Sequence, residues 1–259
     1  MDEFWSEGNL GDSIEIDSSK AESLYERVFT QYGDDSVAQL GSAHLACEQA
    51  SNILTKILEW GRIASYLEQS TRYIYYDQKI GNKFRYITPP ELNNSNLKKE
   101  YEETMDTIFE TYSKVVRSLV EIYKVEFPKE ESVSLQAYNG TIRAKACDVA
   151  RYFLPSSTIS NVGIFASGQA YEHMLMKMRI HKSEEVRNYA DMILVELRKV
   201  IPSFLKRVDV ESRGVEWSNY LKNNQDNIDN YVLENLNNSP SVAPEVNLVE
   251  FENDAERKI

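Results

Sequence analysis

The spacing of apolar residues along the chain predicts a protein built mainly from helices. Apolar positions recur every three to four residues over much of its length, which is the period of an amphipathic helix. A helix is predicted directly after Ser51, a good N-cap residue, with a buried stripe of Ile53, Leu54, Ile57, Leu58 and Ile63. The other predicted helices cover 18–33 (capped by Ser18 or Ser19), 97–125, 141–154, 165–180, 183–207 and 215–236.

Strand-like alternation is confined to short segments. Arg72–Tyr76 and Phe84–Ile87 are rich in aromatic side chains and alternate in polarity, so both are predicted strands. Val37–Ala50 fits either a strand or a helix, and 126–138 is predicted to be a loop. Many helices with few strands predict an α+β fold, in which long helices pack around a small, mostly antiparallel sheet.

Composition and charge narrow the functional classes. The 259 residues are 42% hydrophobic, enough for a full core, and the chain carries a net charge of −12. Such an acidic chain is a poor non-specific binder of nucleic acid or anionic membranes, so neither partner is expected. The acidic start has no signal-peptide pattern, and no apolar run is long enough to span a bilayer, which predicts a cytoplasmic protein.

Neither metal nor thiol chemistry is predicted. The three histidines, His44, His173 and His181, have no ligand spacing with cysteines or carboxylates, so no metal site is expected. Cys47 and Cys147 lie in apolar, helix-like surroundings, which favours two buried free thiols over a disulfide.

The residues from Trp60 to Tyr73 are the strongest candidate for a functional site. They place two arginines, a glutamate and short hydroxyl side chains in one polar segment, which is predicted to be a turn after a helix. The guanidinium groups of arginine, the hydroxyl groups of serine and the backbone N–H groups of a turn can all donate hydrogen bonds to the phosphate of a nucleotide. The alternative is that Glu68 and Arg72 form an i,i+4 ion pair at a helix end, worth only about 0.3–0.5 kcal/mol.

This segment resembles the signature R-H-R-x-x-S-x-N-E-x-S-x-R-Y of the flavin-dependent thymidylate synthases, the ThyX family. The shared positions are Arg62, Ser65, Glu68, Ser70, Arg72 and Tyr73. Trp60 and Gly61 replace the family's Arg-His pair, and Leu67 replaces its asparagine.

The resemblance continues outside the signature. Ala150–Pro155 resembles the family's A-R-x-x-L-P, and Ser167–Arg179 is similar to its N-x-R-S-L-x-N-F-x-x-L-R. The predicted turn Gly33-Asp-Asp-Ser36 resembles a Gly-His-x-Ser/Thr turn near the flavin, with Asp34 in place of the histidine.

The resemblance implies a reaction and a set of site residues. It implies a ThyX-like domain that methylates dUMP to dTMP, with FAD, NADPH and methylenetetrahydrofolate as cofactor and co-substrates. Arg179 would be the catalytic residue that polarises the uracil ring. The implied dUMP-binding residues are Glu68, Gln69, Ser70, Thr71, Arg72 and Arg151, and the implied flavin-binding residues are Ser36, Arg62, Ser65 and Glu68.

The departures from the family pattern fall mostly on the flavin side. They are Trp60, Gly61, Leu67, Gly168, Ala170 and Met174. Each lost charged hydrogen bond costs about 1.5–3 kcal/mol, so flavin affinity should fall. Three hypotheses follow: a complete synthase, a dUMP-binding half that needs a second ThyX-like half or subunit, or a protein acting on another pyrimidine nucleotide.

The organisation of the chain bears on this choice. Residues 1–236 are predicted to form the ThyX-like domain. Residues 237–259 read as a linker followed by the start of a truncated second domain, or as a frayed terminus. The family resemblance implies a homo-oligomer, a tetramer, or pairing with a second ThyX-like half.

Overall fold

The computed structural model describes residues 36–205, 207, 208 and 211–235, together with 23, 25, 27 and 28. The strands are β1 (Ser42–Ser51), β2 (Ala64–Glu68) and β3 (Ile159–Ser167). The helices are α1 (Asn52–Leu58), α2 (Lys98–Glu126), α3 (Leu135–Ala150), α4 (Gly168–Arg179), α5 (Glu184–Arg198) and α6 (Glu216–Asn235). Short 3₁₀ turns cover Ser36–Gln39, Pro90–Leu92, Arg151–Phe153 and Pro202–Phe204, and a π-helical turn covers Glu211–Val215.

The three strands form one antiparallel sheet in the order β1-β3-β2. Leu45, Ile164 and Tyr66 lie in register across it, and their neighbours His44, Phe165 and Ser65 face the opposite side because side chains alternate along a strand. The first side is covered by the main core, whereas the second side is open. The predicted α+β fold class is therefore confirmed.

The main core joins the inner face of the sheet to α1, α4 and α5. Tyr171, Leu175 and Leu194 pack there against strand residues such as Val162 and Ile164, and all five are at least 97% buried. Burying one such side chain contributes about 1.5–3 kcal/mol, so this packing fixes the sheet against the helices.

A second, aromatic cluster lies between α2, α3 and the segment after β2. Its buried members include Tyr76, Phe84, Tyr86, Phe109 and Tyr112. Lysine side chains cover two of these rings at 4.5–4.7 Å from the ring centroid, as cation–π contacts. The two cysteines are buried and free, one in each cluster.

The long helices match their predictions well. The helix predicted over 97–125 spans 98–126, and the one over 215–236 spans 216–235. The helix predicted over 183–207 ends at Arg198, since Pro202 begins a separate 3₁₀ turn. The helix predicted over 141–154 begins at Leu135, where the Ser134 hydroxyl accepts a hydrogen bond from the Ala137 N–H, and so shortens the predicted loop.

The strand predictions were less accurate. Val37–Ala50, which the pattern left ambiguous, is mostly strand β1. Arg72–Tyr76 is not a strand, because a turn begins there and Tyr76 packs into the aromatic cluster. Phe84–Ile87 makes only an isolated bridge, between Tyr86 and Thr158. Strand β3 was missed, and the helix predicted from 165 begins only after it, at Gly168.

The predicted cap at Ser51 is confirmed, but the predicted stripe is too long. The Ser51 hydroxyl accepts from the Leu54 N–H at 3.1 Å and donates to Glu185 of α5 at 2.7 Å. Helix α1 ends at Leu58, so Ile63 lies outside it and is 80% exposed. Ile53 is also half exposed, on a face of α1 that contributes to the site described below.

Gly168 lies where the chain leaves little room for a side chain. A Cβ atom there would be 2.6 Å from Cβ of Phe204 and 3.1 Å from the carbonyl oxygen of Ala38. The Gly168 N–H donates to the Gly41 carbonyl at 2.8 Å, which holds this first residue of α4 in place. The 3₁₀ turn at Pro202–Phe204 is therefore packed directly against the start of α4.

The backbone divides into two units, 1–218 and 219–259, and the second is described only over 219–235. The predicted linker at 237–259 and most of the predicted helix at 18–33 lie outside the described residues, so the domain boundary stays a prediction. Across the described ranges, no helix is both long enough and apolar enough to cross a membrane. The same ranges contain no cluster of three or more His, Cys, Asp or Glu side chains suited to a metal ion.

Candidate functional site

A cleft of about 710 Å³ lies where α1, the end of β2 and the turn after α3 meet. Its lining residues are Asn52, Ile53, Lys56, Ile57, Glu68, Gln69, Ser70, Thr71, Arg151 and Ser156. Five of the six predicted dUMP-binding residues are among them, although Arg151 is about eighty positions from the others in the chain. The walls combine two cations, several hydroxyl and amide groups, and the apolar side chains of Ile53 and Ile57.

The signature is a strand followed by a turn, not a single polar turn as predicted. Ala64–Glu68 pairs with β3, with Ala64 and Tyr66 facing the core and Ser65 and Leu67 facing outward. The alternation of polar and apolar residues that marks a strand is absent here, because polar Ser65 and apolar Leu67 both face outward.

The turn that follows β2 is fastened to β3 through Gln69 and Asn161. The Gln69 N–H donates to the Asn161 carbonyl at 2.9 Å, and the Asn161 side-chain NH₂ donates to the Gln69 side-chain oxygen at 2.7 Å. The same Asn161 side chain accepts from the N–H of Gln49, which has a φ of 59° at a bulge in β1. Ser70 closes the turn by accepting from the Arg72 N–H at 3.3 Å.

Lys56 is a cleft residue that sequence reasoning missed. Its ammonium group lies 2.7 Å from Glu68 and 3.3 Å from Glu59. Burial lowers its pKa, but the hydrogen bond and charge of Glu68 together with those of Glu59 outweigh this, so the pKa of Lys56 is raised. The available signal was its spacing, because Asn52, Ile53, Lys56 and Ile57 share one face of a helix.

Arg72 and Arg151 are brought together by Asp148, which sequence reasoning also missed. Asp148 Oδ1 lies 3.0 Å from Arg72 Nε and 3.1 Å from Arg151 Nη2. Arg72 does not line the cleft itself, but this shared carboxylate places it beside Arg151, which does. The alternative that Glu68 and Arg72 form a helical ion pair is wrong, because their partners are Lys56 and Asp148 and the segment is not a helix.

Within the described residues, the predicted flavin-binding residues do not line the cleft together. Of the four, only Glu68 lines the cleft. Ser65 is exposed on the open face of the sheet, opposite Phe165, and Arg62 is exposed in the loop before β2. Ser36 begins the 3₁₀ turn before β1. This arrangement does not fit an FAD pocket within the described part of a single chain.

Arg179 lies outside the cleft lining. It is the last residue of α4, and its guanidinium binds Asp191 of α5 with N–O distances of 3.1 and 3.3 Å. The cleft lining therefore does not include the predicted catalytic residue.

The fold and cleft together define an α+β protein with a cation- and hydroxyl-lined cleft at the edge of a three-stranded sheet. Residues 4–203 match the family described as thymidylate synthase complementing protein, and the chain belongs to that family.

Similarity to individual proteins points in the same direction. The chain is 40% identical over 196 residues to a UPF0159 protein of Chlamydia muridarum, covering 75% of this chain and 37% of that protein. It is 26% identical over 231 residues to a UPF0159 protein of Thermoplasma acidophilum, covering 81% and 46%. It is 29% identical over 177 residues to a flavin-dependent thymidylate synthase of Clostridium tetani, covering 68% and 66%. The chain thus spans less than half the length of the two UPF0159 proteins.

Proposed function

We propose that this chain binds dUMP in the cleft and takes part in flavin-dependent methylation of dUMP to dTMP. The observation that carries the proposal is the convergence of Glu68–Thr71 with the Arg72–Asp148–Arg151 group. Family membership supports the reaction class, because relatives of this chain include proteins named flavin-dependent thymidylate synthase.

Each part of the nucleotide has a matching part of the cleft. The phosphate binds Arg72 and Arg151, since guanidinium forks suit phosphate oxygens and each charge-assisted hydrogen bond contributes about 1.5–3 kcal/mol. Ser70 and Thr71 supply hydroxyl groups beside them, and the side chains of Ile53 and Ile57 offer an apolar wall to the pyrimidine ring.

The remaining chemistry belongs to an assembled site. FAD, NADPH and methylenetetrahydrofolate are the reagents that the family implies. Of the four expected flavin-binding residues, only Glu68 is among the described residues that line the cleft, and Arg179 is paired with Asp191 outside the cleft lining. We therefore assign the one-carbon and redox steps to an assembly, either a homotetramer or a pair with a second ThyX-like half, and derive no step through FAD in one chain.

A second candidate function is that of a dUMP-binding half without activity of its own. The exposed apolar residues on the flavin side favour it, because Trp60 and Leu67 are 78% and 79% exposed where the family has an arginine and an asparagine. A partner would then supply the missing flavin contacts. Assay of dTMP formation by this chain alone and with a candidate partner separates the two functions.

Calorimetric titration with dUMP tests the cleft itself. Wild type is expected to bind, and Arg151→Ala is expected to bind at least tenfold more weakly because it loses a phosphate contact. Arg117→Ala is the matched control, since Arg117 forms a similar pair with Asp77 but does not line the cleft. Absence of heat with wild type, or equal binding by Arg151→Ala, would falsify the dUMP assignment.

A further inference from the structure

We propose that Asp148 is a positioning residue that holds Arg72 and Arg151 together as one two-armed phosphate clamp. This inference rests on the proposed function, because the clamp is assigned to the phosphate of dUMP. Asp148 itself is not assigned a contact with the nucleotide; it acts through the two arginines.

The first support is the sharing of one oxygen atom. Arg72 Nε and Arg151 Nη2 lie 3.0 and 3.1 Å from the same Asp148 Oδ1, so these two nitrogen atoms are at most about 6 Å apart. Arg72 belongs to the turn after β2 and Arg151 to the turn after α3. Asp148 is therefore the side chain through which two separate parts of the backbone bring their cations together.

The second support is electrostatic. Two guanidinium groups at this distance repel each other, and arginine side chains have many rotamers in which to separate. A carboxylate between them offsets the repulsion and restricts those rotamers. Asp148 sits three residues before Arg151 on the last turn of α3, so its own position is fixed by the helix.

The third support is that the contacts leave the arginine donors available. Asp148 Oδ1 is buried and makes no aligned hydrogen bond, so both contacts act through charge and not through a directed N–H donor. A phosphate can then accept from both guanidinium groups without first displacing the carboxylate. Asp148 can therefore position the two arginines without blocking their contacts with the phosphate.

The test compares dUMP with deoxyuridine, which lacks the phosphate. Asp148→Asn keeps the shape of the side chain and removes its charge. We expect it to weaken dUMP binding about tenfold by calorimetry, while deoxyuridine binding, measured by competition against dUMP, stays within twofold. A general loss of fold would weaken both ligands alike, and Asp77→Asn, which breaks an Arg–Asp pair outside the cleft lining, is expected to change neither.

Coupling between the arginines gives the second readout. With Asp148 present, the effects of Arg72→Ala and Arg151→Ala on the Kd for dUMP should be non-additive. In the Asp148→Asn background, the Kd of the double variant should differ by less than a factor of two from the value that the two single effects predict when added as free energies. Binding of dUMP by Asp148→Asn that equals or exceeds that of wild type would overturn the proposal and make Asp148 a competitor of the phosphate. A wild-type chain that does not bind dUMP would instead overturn the proposed function, and this inference with it.

Discussion

The signature has two regions that differ sharply in how the chain supports them. Glu68–Arg72 is held by neighbouring elements. Gln69 is hydrogen-bonded to Asn161 of β3, and Glu68 and Arg72 form ion pairs with Lys56 and Asp148. Trp60–Leu67 is open on its outer side, where Trp60, Ile63 and Leu67 are each more than three-quarters exposed. Both regions belong to one continuous segment, and β2 runs across the boundary between them.

The difference shows which half of the site this chain organises by itself. A binding site needs side chains held by neighbours. Within the described residues the cleft side has such contacts, whereas the outward side chains of Trp60–Leu67 are exposed. The open side keeps two family residues, Arg62 and Ser65, without converging on the cleft.

The largest expected effect comes from removing both cations of the clamp. The double variant Arg72→Ala/Arg151→Ala loses at least two charge-assisted hydrogen bonds, about 3–6 kcal/mol, so the Kd for dUMP should rise at least about 100-fold. Calorimetry measures this, with Arg117→Ala as control. A double variant within threefold of wild type would show that the cleft is not the phosphate site.

A buried acid tests the scaffold that both regions share. Glu172 on α4 is 3% exposed, and burial raises its pKa to about 7, although a hydrogen bond from the Arg207 N–H opposes the shift. Its folded-state pKa lies above the ordinary value of 4.5, so the folded protein binds the proton more tightly. This group's contribution to stability is present below about pH 4.5 and is lost as pH rises through about 7.

If the whole pKa shift of Glu172 contributes to folding, the unfolding free energy falls by roughly 3 kcal/mol over this pH range. Urea unfolding of wild type and Glu172→Gln at several pH values between 4.5 and 8 measures it. The stability difference between the two should change with pH in favour of the glutamine variant at higher pH. Parallel pH profiles would contradict the prediction, since other carboxylates cancel in the comparison.

Asn161 tests the anchoring of the cleft turn. Asn161→Ala removes the side-chain bonds to Gln69 and Gln49, which should lower the unfolding free energy by about 1–3 kcal/mol and weaken dUMP binding several-fold. Thermal unfolding and calorimetry on the same sample check both effects. A stability loss with unchanged dUMP affinity would show that the turn keeps its shape without this anchor.

The smallest effect is expected on the open side. Leu67→Asn restores the family's asparagine at a position that is 79% exposed, so the unfolding free energy should change by less than about 0.5 kcal/mol. The quenching of FAD fluorescence on mixing should match that of wild type, because one amide cannot complete the flavin contacts. Tight FAD binding by this variant alone would show that the chain is closer to a complete site.

Local pattern was sufficient for part of this structure. The period of 98–126 and the Ser51 cap depend on residues within a few positions of each other, so sequence reasoning found both. The family signature then located Glu68–Arg72, and the A-R-x-x-L-P resemblance located Arg151, although nothing in their spacing shows that they meet.

The features that the sequence did not predict depend on contacts between residues that are far apart in the chain. Strand β2 looked like a turn because its identity comes from β3, about a hundred residues later. Asp148 is an ordinary helical aspartate in the sequence, and only the approach of Arg72 from another element gives it a role. The same holds for Lys56, whose partner Glu68 lies beyond the end of its helix.

The contact between Gly168 and Phe204 has a consequence for the evolution of the chain. The resemblance of Ser167–Arg179 to the family motif aligns Gly168 approximately with the first asparagine of that motif, and a Cβ atom at position 168 would lie 2.6 Å from Cβ of Phe204. A side chain at position 168 therefore requires the Pro202–Phe204 turn to move away from the start of α4, because every residue except glycine keeps a Cβ atom at position 204. Restoring the family's asparagine thus depends on a change in the packing of this turn as well as on a change at position 168.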